Sequence, residues 1–346
     1  MPRWGPPASI APMTWIDAAL RRVAGLSGAS DATVEPDDAG ALRLRVRTVG
    51  VYQELDRCPA DGAAAAMARL KALAGVPAYI RDEPQDGRID GRPFGFAGDL
   101  RAAFLPTVRG VRAALRLPAL GAVPPPEGLG LEPEVVAGLR RALRASQGLL
   151  LVCGPTGSGK TTTIHSVLAE QARTRPDRLL LAIEDPVERR LEGIVQVETA
   201  AGRGLDFAAA LRAGLRHDPD VIVVGEVRDA ETAQAALRAA LTGHLVITTL
   251  HCARAHEAVP RLLEMGCARE LLMPTLIGIL AQRLLRVGAG LGQRRPVADW
   301  LPLDHAARMA WMAGAAPALA HDQDRTAAAW LAAGTTTAEE IDRVLG

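Results

Sequence analysis

The chain has 346 residues and a formal net charge of +1, from 40 basic and 39 acidic side chains. This balance excludes an overall basic field that would draw the chain to nucleic acid or to anionic lipid without a local patch. At about 150 residues per domain, the length predicts two domains. Only Lys71 and Lys160 are lysine, so nearly all basic residues are arginine and a single arginine is weak evidence for a site.

The first residues, MPRWGPPASIAPMTWID, are interrupted by proline and do not have the apolar pattern of a secretory signal. Uncharged stretches such as residues 271–282 are shorter than the roughly 18–20 apolar residues of a membrane-spanning helix. We therefore expect a cytoplasmic protein. The cysteines contain no CxxC pair, which predicts free thiols and no zinc site. They are Cys58, Cys153, Cys252 and Cys267.

Two elements are predicted before the proline-rich stretch at residues 117–133. Residues 42–50 alternate apolar residues with arginine, as in a half-buried strand, and residues 60–73 have a helical composition. Together they predict an α+β domain over residues 1–117. Consecutive prolines exclude a helix, so residues 118–133 are interpreted as a linker.

Beyond the linker, short apolar runs alternate with helical segments, which predicts a parallel sheet covered on both faces over residues 134–288. The runs lie at residues 149–153, 179–183, 221–224 and 245–249. Each run ends in a polar cluster, and ligands bind outside the carboxyl ends of strands in such sheets. We expect these four clusters to converge. Residues 289–346 are predicted to form a small helical tail.

The segment GPTGSGKT at residues 154–161 matches GxxxxGK[ST] between a predicted strand and a predicted helix, which is the context of a phosphate-binding loop. Glycines let successive N–H groups point at phosphate oxygens, and the helix dipole adds its positive end. Lys160 is expected to reach the β and γ phosphates, and Thr161 to bind a magnesium ion. The residues predicted to bind ATP here are Gly154, Pro155, Thr156, Gly157, Ser158, Gly159, Lys160, Thr161 and Thr162.

Hydrolysis further requires a group that orients or deprotonates water. Glu226, which follows the third run, is the candidate, and a solvated glutamate after a strand is the alternative. Glu184, Asp185 and Glu188 form a second acidic cluster. This cluster is interpreted either as a water-mediated magnesium site or as an acidic helix N-terminus.

His244 and His251 flank the fourth run. An imidazole at these positions is able to contact phosphate or to report the nucleotide state, whereas a histidine beside a strand is more often structural. The residues alone leave both interpretations open.

Four segments, in this order, resemble the Walker A, Asp box, Walker B and His box motifs of the ATPases that power type II secretion and type IV pilus assembly. They are GPTGSGKTTT, IEDPVE, LRHDPDVIVVGEVRDAETA and TGHLVITTLH. Further similar segments are ASDATVEP at 29–36, EPQDGRI at 83–89, RLLEMG at 261–266 and ILAQRLLR at 279–286. The resemblance extends over residues 15–345.

This resemblance implies a RecA-like P-loop core, preceded by a smaller PAS-like α+β domain that packs over the nucleotide. It implies Mg²⁺-dependent ATP hydrolysis in a hexameric ring, coupled to protein export or pilin polymerisation through an inner-membrane platform protein. The chain would then lie on the cytoplasmic side of a bacterial inner membrane, would reach the membrane only through partners, and would bind no nucleic acid.

Roles for individual residues also follow from the resemblance. It implies that Glu226 is the catalytic glutamate and that Glu184 is the functional acid of the Asp box, supported by Asp185. It also favours a role for His251 and, to a lesser degree, for His244 in the site.

The resemblance extends to arginines of the first domain that neutralise charge developing on the γ phosphate. The matching stretch, DLRAAFLPTVRGVRAALRL, places Arg101 and Arg112 at those positions. Arg116 is a weaker third candidate.

Several features depart from the family pattern. Thr33 replaces a histidine, Val111 replaces a glutamate, and His217 replaces a glutamine. The tetracysteine zinc module and the additional N-terminal docking domain of type II secretion ATPases are not found, nor is the AIRNLI-like signature of pilus retraction ATPases. Because the sequence resembles the family again after the position of the zinc module, it favours a trimmed assembly-type ATPase, whereas the departures motivate the alternative. A nucleotide-binding regulatory or scaffold subunit with little turnover is the alternative, and the neutral charge disfavours a nucleic-acid motor.

Overall fold

The computed structural model describes residues 14–48, 51–96, 98–118, 123–200, 204–288, 293–315 and 317–346. They divide into two compact units, Met1–Gly121 and Ala122–Gly346. The division falls within the stretch that the sequence predicts to be a linker.

The described part of the first unit contains an antiparallel sheet and two helices. The helices are α1 (Trp15–Ala24) and α2 (Ala60–Leu73), and the strands are β1 (Ala29–Pro36), β2 (Leu42–Thr48), β3 (Val51–Cys58), β4 (Gln85–Ile89), β5 (Leu100–Thr107) and β6 (Gly110–Arg116). Their order in the sheet is β3-β2-β1-β6-β5-β4. An α+β unit is therefore present, whereas the PAS-like description stays a prediction.

Alternation in β2 explains how this sheet packs. Leu42, Leu44 and Val46 are buried, and the arginines between them are partly exposed. Because alternate side chains of a strand face opposite sides, one face of β2 joins the core and the other carries charge. The predicted strand is confirmed over 42–48, and residues 49–50 lie outside the described residues.

The described part of the second unit is built around a mainly parallel sheet. Its helices are α3 (Pro133–Ala142), α4 (Lys160–Thr174), α5 (Phe207–Gly214), α6 (Ala230–Leu241), α7 (Ala258–Glu264), α8 (Arg269–Thr275), α9 (His305–Met312), α10 (Gln323–Ala332) and α11 (Ala338–Leu345). Its strands are β7 (Gly148–Cys153), β8 (Leu180–Glu184), β9 (Val195–Glu198), β10 (Val221–Val224), β11 (Leu245–Leu250), β12 (Leu276–Val287) and β13 (Gln293–Pro302). The four predicted apolar runs correspond to β7, β8, β10 and β11.

Strand order in this sheet is β13-β12-β7-β11-β10-β8-β9, with only β13 antiparallel to its neighbour. Both faces are covered, since Leu149 and Leu151 of β7 pack in a core with α5 and α6, while Leu150 and Val152 pack with α3 and α4. Strands buried on both faces need continuous apolar sequence, and β7, β10 and β11 have it. The predicted α/β class with a parallel sheet is confirmed.

The predicted helical tail is wrong for Gln293–Pro302. This segment forms β13, paired with β12 along ten residues of register. Trp300 explains the packing: a Cβ on Gly278 or on Gly138 would meet its ring at 2.6 or 2.3 Å, so both glycines make room for the indole. Pro296 lies within β13, where proline is tolerated because β13 is an edge strand.

No helix in the described part of the chain is long and apolar enough to cross a membrane.

Candidate nucleotide-binding site

A cavity of about 200 Å³ lies in the second unit, where the carboxyl ends of β7, β8, β10 and β11 meet. All four polar clusters contribute to its wall. The predicted site residues among its lining are Thr156, Gly157, Lys160, Thr161, Glu184, Asp185, Glu188, Glu226 and His251. The clusters therefore converge as the strand pattern predicts.

The glycine-rich loop links β7 to the start of α4. Gly154, Gly157 and Gly159 have φ values of +147°, +79° and +92°, which L side chains rarely adopt. No side chain caps the N-terminus of α4. Because the first N–H groups of a helix lack partners within the helix, this N-terminus is suited to an anion.

Lys160 lies at the junction between the loop and α4. Its Nζ donates hydrogen bonds to the carbonyls of Gly154 at 2.7 Å and Pro155 at 2.9 Å. Burial lowers the pKa of Lys160 below its usual value, and the negative charge of Glu226 partly opposes that effect. The ammonium group is therefore held at the mouth of the cavity by contacts that a phosphate is able to replace.

Glu226 accepts hydrogen bonds from two basic side chains. Arg228 Nη2 lies 2.8 Å from Oε2, and His251 Nε2 lies 2.7 Å from Oε1. Desolvation acts to raise the pKa of Glu226, but Arg228 and then His251 outweigh it, so the pKa lies below its usual value. Glu226 is thus an ionised, oriented carboxylate in the cavity wall, and His251 contacts it there, whereas the predicted role of His251 at the phosphates stays a prediction.

Glu184 is almost fully buried at the end of β8. His165 Nε2 lies 2.8 Å from Oε2, and Gln196 Nε2 donates to Oε1 at 2.7 Å. Gln196 also donates to the Arg189 carbonyl at 2.8 Å and accepts from the Leu191 N–H at 2.7 Å. Both carboxylate oxygens of Glu184 are therefore engaged by side chains that also line or shape the cavity.

Asp185 and Glu188 follow Glu184 in an irregular segment. No helix begins here, so the interpretation of this cluster as an acidic helix N-terminus is wrong. Asp185 Oδ2 lies 3.6 Å from Arg228 Nη1, and the same guanidinium binds Glu226. Arg228 thus connects the acidic segment after β8 with the one after β10.

The structure does not bring His244 to the cavity. It precedes β11, whereas the cavity lies at the carboxyl end of that strand, about six residues or ~20 Å away. Its Nδ1 lies 3.0 Å from the Ala239 carbonyl, at the end of α6. His244 therefore lies outside the cavity, at the opposite edge of the sheet, and its part in nucleotide binding stays a prediction.

The candidate arginines of the first unit lie on its charged sheet face. Arg101 on β5 is in register with Arg116 on β6, and Arg112 on β6 donates from Nε to Glu35 Oε2 at 3.1 Å. Arg116 Nε lies 3.4 Å from Asp31 Oδ1. Their contribution to a nucleotide site stays a prediction.

Sequence reasoning missed three side chains of this site. Arg228 lies in the segment LRHDPDVIVVGEVRDAETA, where no role was assigned to it, and His165 lies five residues after Lys160 in the helix that follows the loop. Both residues could have been proposed as site residues because they lie within or next to the predicted motifs. Nothing in the sequence points to Gln196, because β9 contains no motif and its contact with Glu184 is a tertiary one.

A parallel sheet with a glycine-rich loop leading into a helix N-terminus, and with acidic side chains at the neighbouring strand ends, places this unit among the α/β proteins that carry a phosphate-loop motif. The chain belongs to the type II/IV secretion system protein family, whose model matches residues 11–336. The predicted family is confirmed.

Curated relatives include type II secretion and type IV pilus proteins. The chain is 43% identical over 259 residues to the type II secretion system protein E of Xanthomonas campestris pv. campestris, covering 75% of this chain and 45% of that protein. It is 37% identical to the type II secretion system protein HxcR of Pseudomonas aeruginosa, covering 96% of this chain and 77% of that protein. It is 42% identical to the type IV pilus assembly ATPase PilB of Thermus thermophilus, covering 77% of this chain and 30% of PilB. The chain thus spans less than half of the length of two of these three relatives.

Solved structures show the same fold over nearly the whole chain. The pilus retraction motor PilT, determined with bound ADP, has a TM-score of 0.70 and 29% identity, covering 95% of this chain and 92% of PilT. The ATPase DotB of Legionella pneumophila has a TM-score of 0.76 at 21% identity, covering 96% of each chain.

Proposed function

We propose that the chain binds ATP with Mg²⁺ at the cavity and hydrolyses it as a motor subunit of a type II secretion, pseudopilus or type IV pilus assembly system. The main support is that one cavity wall contains Lys160 and Thr161 of the phosphate loop together with Glu184 and Glu226. Membership of the secretion family and the ADP bound to PilT agree with this proposal.

Phosphate binding follows from the loop and from α4. The uncapped helix N-terminus offers N–H groups to the β phosphate, and the three glycines let the backbone curve around it. Lys160 exchanges its two carbonyl contacts for phosphate oxygens, and its compact ammonium suits this confined position better than a guanidinium. For the fold of the second unit, we propose a RecA-like core.

A magnesium ion fits the donors that are present. Among the described residues, no cluster of three or more His, Cys, Asp or Glu side chains is arranged to hold a metal ion on its own. Mg²⁺ usually keeps several waters and binds through few protein ligands together with substrate phosphates. The Thr161 hydroxyl would hold it, and the ion would supply positive charge at the phosphate oxygens. Zinc is not part of the proposal.

Glu226 positions the attacking water. Its carboxylate is ionised and is held by Arg228 and His251, so it accepts a hydrogen bond from water in one orientation. A lowered pKa makes it a weak base, and orientation of the water is therefore its larger contribution. Glu184 and Asp185 line the same cavity as Thr161 and would help to hold the magnesium ion through water.

The remaining parts of the proposal come from the family. A hexameric ring, charge neutralisation by Arg101 and Arg112, and coupling to an inner-membrane platform protein are proposed here by resemblance to secretion ATPases. The membrane location on the cytoplasmic side has the same basis.

The test is ATP turnover and Mg·ATP binding by the purified chain, measured against its oligomeric state and with and without the platform protein. Lys160→Ala is expected to lose binding. Glu226→Gln is expected to keep binding and to lose turnover by about 10²–10⁴-fold, the usual contribution of such a group. Glu270→Gln, an exposed glutamate in the first turn of α8, is the matched control. Wild-type chain that binds ATP without turnover in any assembly would instead support a regulatory or scaffold subunit.

A further inference from the structure

Gln282 lies on β12, outside the cavity lining, yet it contacts the phosphate loop directly. Its side-chain Nε2 donates to the Ser158 carbonyl at 2.6 Å, and its Oε1 accepts from the Thr163 hydroxyl at 2.9 Å. The residue is 1% exposed. One buried amide therefore joins the last turn of the loop to the first turn of α4.

This contact controls the orientation of one peptide group. In a planar trans peptide, the C=O of one residue and the N–H of the next point in opposite directions. Because the Ser158 carbonyl points to Gln282, the Gly159 N–H points away from β12. Successive backbone N–H groups that face the concave side of such a loop bind phosphate oxygens.

The loop glycines show how closely β12 approaches. A Cβ on Gly159 would meet the side-chain Nε2 of Gln282 at 2.9 Å. A Cβ on Gly154 would meet the backbone carbonyl oxygen of Gln282 at 2.5 Å. Both glycines also have positive φ values. Two of the loop glycines are thus required by contact with Gln282 as well as by the loop's own curvature.

The support beneath Gln282 is rigid. Ala281 pairs with Cys153 of β7, immediately before the loop, and Gln282 itself pairs with Ala298 of β13. A side chain on a strand that is paired on both sides holds its position better than one on a loop. The amide is therefore a fixed reference point for the loop.

We propose that Gln282 is a positioning residue for nucleotide binding: its amide sets the Ser158–Gly159 peptide so that the Gly159 N–H faces the nucleotide phosphates, and it anchors the first turn of α4 through Thr163. This inference rests on the proposed function. It assigns to a buried side chain of β12 a part in phosphate binding that is separate from the loop's own residues.

The first test is the dissociation constant for Mg·ADP, measured by calorimetry on the full chain. Gln282→Met keeps the side-chain length and removes both hydrogen bonds, and the Kd is expected to rise by at least about tenfold, which corresponds to about 1.4 kcal/mol. Thr163→Val removes only the second hydrogen bond and should have a smaller effect. The matched control is Gln171→Met. Gln171 is also a buried glutamine, but it lies on α4, away from the loop.

The second test uses Gln282→Glu and does not depend on the fold tolerating methionine. Burial raises the pKa of the introduced carboxyl. When protonated, it donates to the Ser158 carbonyl. When ionised, the carboxylate has no proton to donate to that carbonyl. The ratio of Mg·ADP Kd values, variant over wild type, is therefore expected to stay near one at about pH 6 and to rise toward about pH 9. Taking the ratio at each pH removes the pH dependence that the wild-type site has by itself.

The outcomes separate this inference from the proposed function. Wild-type chain that does not bind Mg·ADP contradicts the proposed function itself. Wild-type chain that binds, together with a Gln282→Met variant that binds as tightly as Gln171→Met or a Gln282→Glu ratio independent of pH, overturns the role of Gln282 alone. A loss of thermal stability shared equally by Gln282→Met and Gln171→Met, with unchanged Kd, would also overturn it.

Discussion

His251 Nε2 lies 2.7 Å from Glu226 Oε1, so residues that follow the neighbouring strands β11 and β10 meet at one carboxylate. The strand ends are themselves joined, because the hydroxyls of Thr248 and Thr249 donate to the carbonyls of Val224 and Gly225 at 2.8 and 2.7 Å. Glu226 and His251 therefore follow strand ends that are hydrogen bonded to each other. A shift in either strand end would move Glu226 relative to a bound phosphate.

Arg228 provides a prediction about pH dependence. Its guanidinium lowers the pKa of Glu226, which must be ionised to accept a hydrogen bond from water. Activity is then lost as pH falls through that pKa. Arg228→Gln removes the nearest positive charge and raises the pKa, so activity is lost at a higher pH. Because Arg228 is mostly exposed, we expect the acid limb of kcat to move up by roughly one pH unit or less.

The measurement is kcat at saturating Mg·ATP as a function of pH. Arg261→Gln, which removes an exposed arginine paired with Glu264 on the surface, is the control and should leave the acid limb in place. An acid limb that is unmoved in Arg228→Gln, or that moves down, would contradict the electrostatic link between Arg228 and Glu226.

The buried contact between His165 and Glu184 provides a prediction about stability. Glu184 is 5% exposed and receives one of its two side-chain donors from His165. His165→Phe keeps the ring volume and leaves that carboxylate oxygen without its donor, which typically costs about 1–3 kcal/mol. Glu184→Gln combined with His165→Phe should cost less than the sum of the two single changes.

Urea unfolding of the four proteins in this double-mutant cycle gives the coupling free energy, expected at about 0.5–3 kcal/mol. Gln196→Met measures the second donor of the same carboxylate for comparison. Additive single changes would show that the contact between His165 and Glu184 contributes nothing to stability.

Local sequence patterns predicted most of the second unit. The apolar runs located β7, β8, β10 and β11 because strands buried on both faces have continuous apolar sequence. Polar residues directly after those runs located the cavity, since the carboxyl ends of parallel strands lie at one edge. The apolar runs and the polar residues that follow them are each visible within a few consecutive residues. Neither pattern depends on contacts between distant parts of the chain.

What could not be predicted depends on distant contacts. Ser158 and Gln282 are hydrogen bonded although 124 residues separate them, and no spacing rule connects the two. Gln293–Pro302 becomes a strand only because β12 presents an edge and two glycines make room for Trp300. The position of His244, by contrast, follows from the sequence, because the residue precedes the fourth run and ligands bind outside the carboxyl ends of parallel strands.

Asp299 connects β13 with the segment after the His box. Its carboxylate is fully buried and lies 2.9 Å from Arg254 Nε, and it also accepts hydrogen bonds from the N–H groups of Ala255 at 3.3 Å and Gln323 at 3.0 Å. Arg254 follows His251 by three residues. The carboxylate thus fixes the segment that carries His251 against both the edge strand and the start of α10.

Asp299→Asn is therefore expected to lower the free energy of unfolding by about 3 kcal/mol, because an amide group replaces a charged acceptor among donors that remain buried. Asp324→Asn also removes a carboxylate paired with Arg254, but Asp324 is 58% exposed, and its loss should cost about 0–1 kcal/mol. Urea unfolding of both variants measures the difference. Since β13 pairs with β12 over residues 278–287, the loss should appear as a lower midpoint of one cooperative transition of the second unit. Equal losses in the two variants would show that the buried contacts of Asp299 add nothing beyond an exposed ion pair.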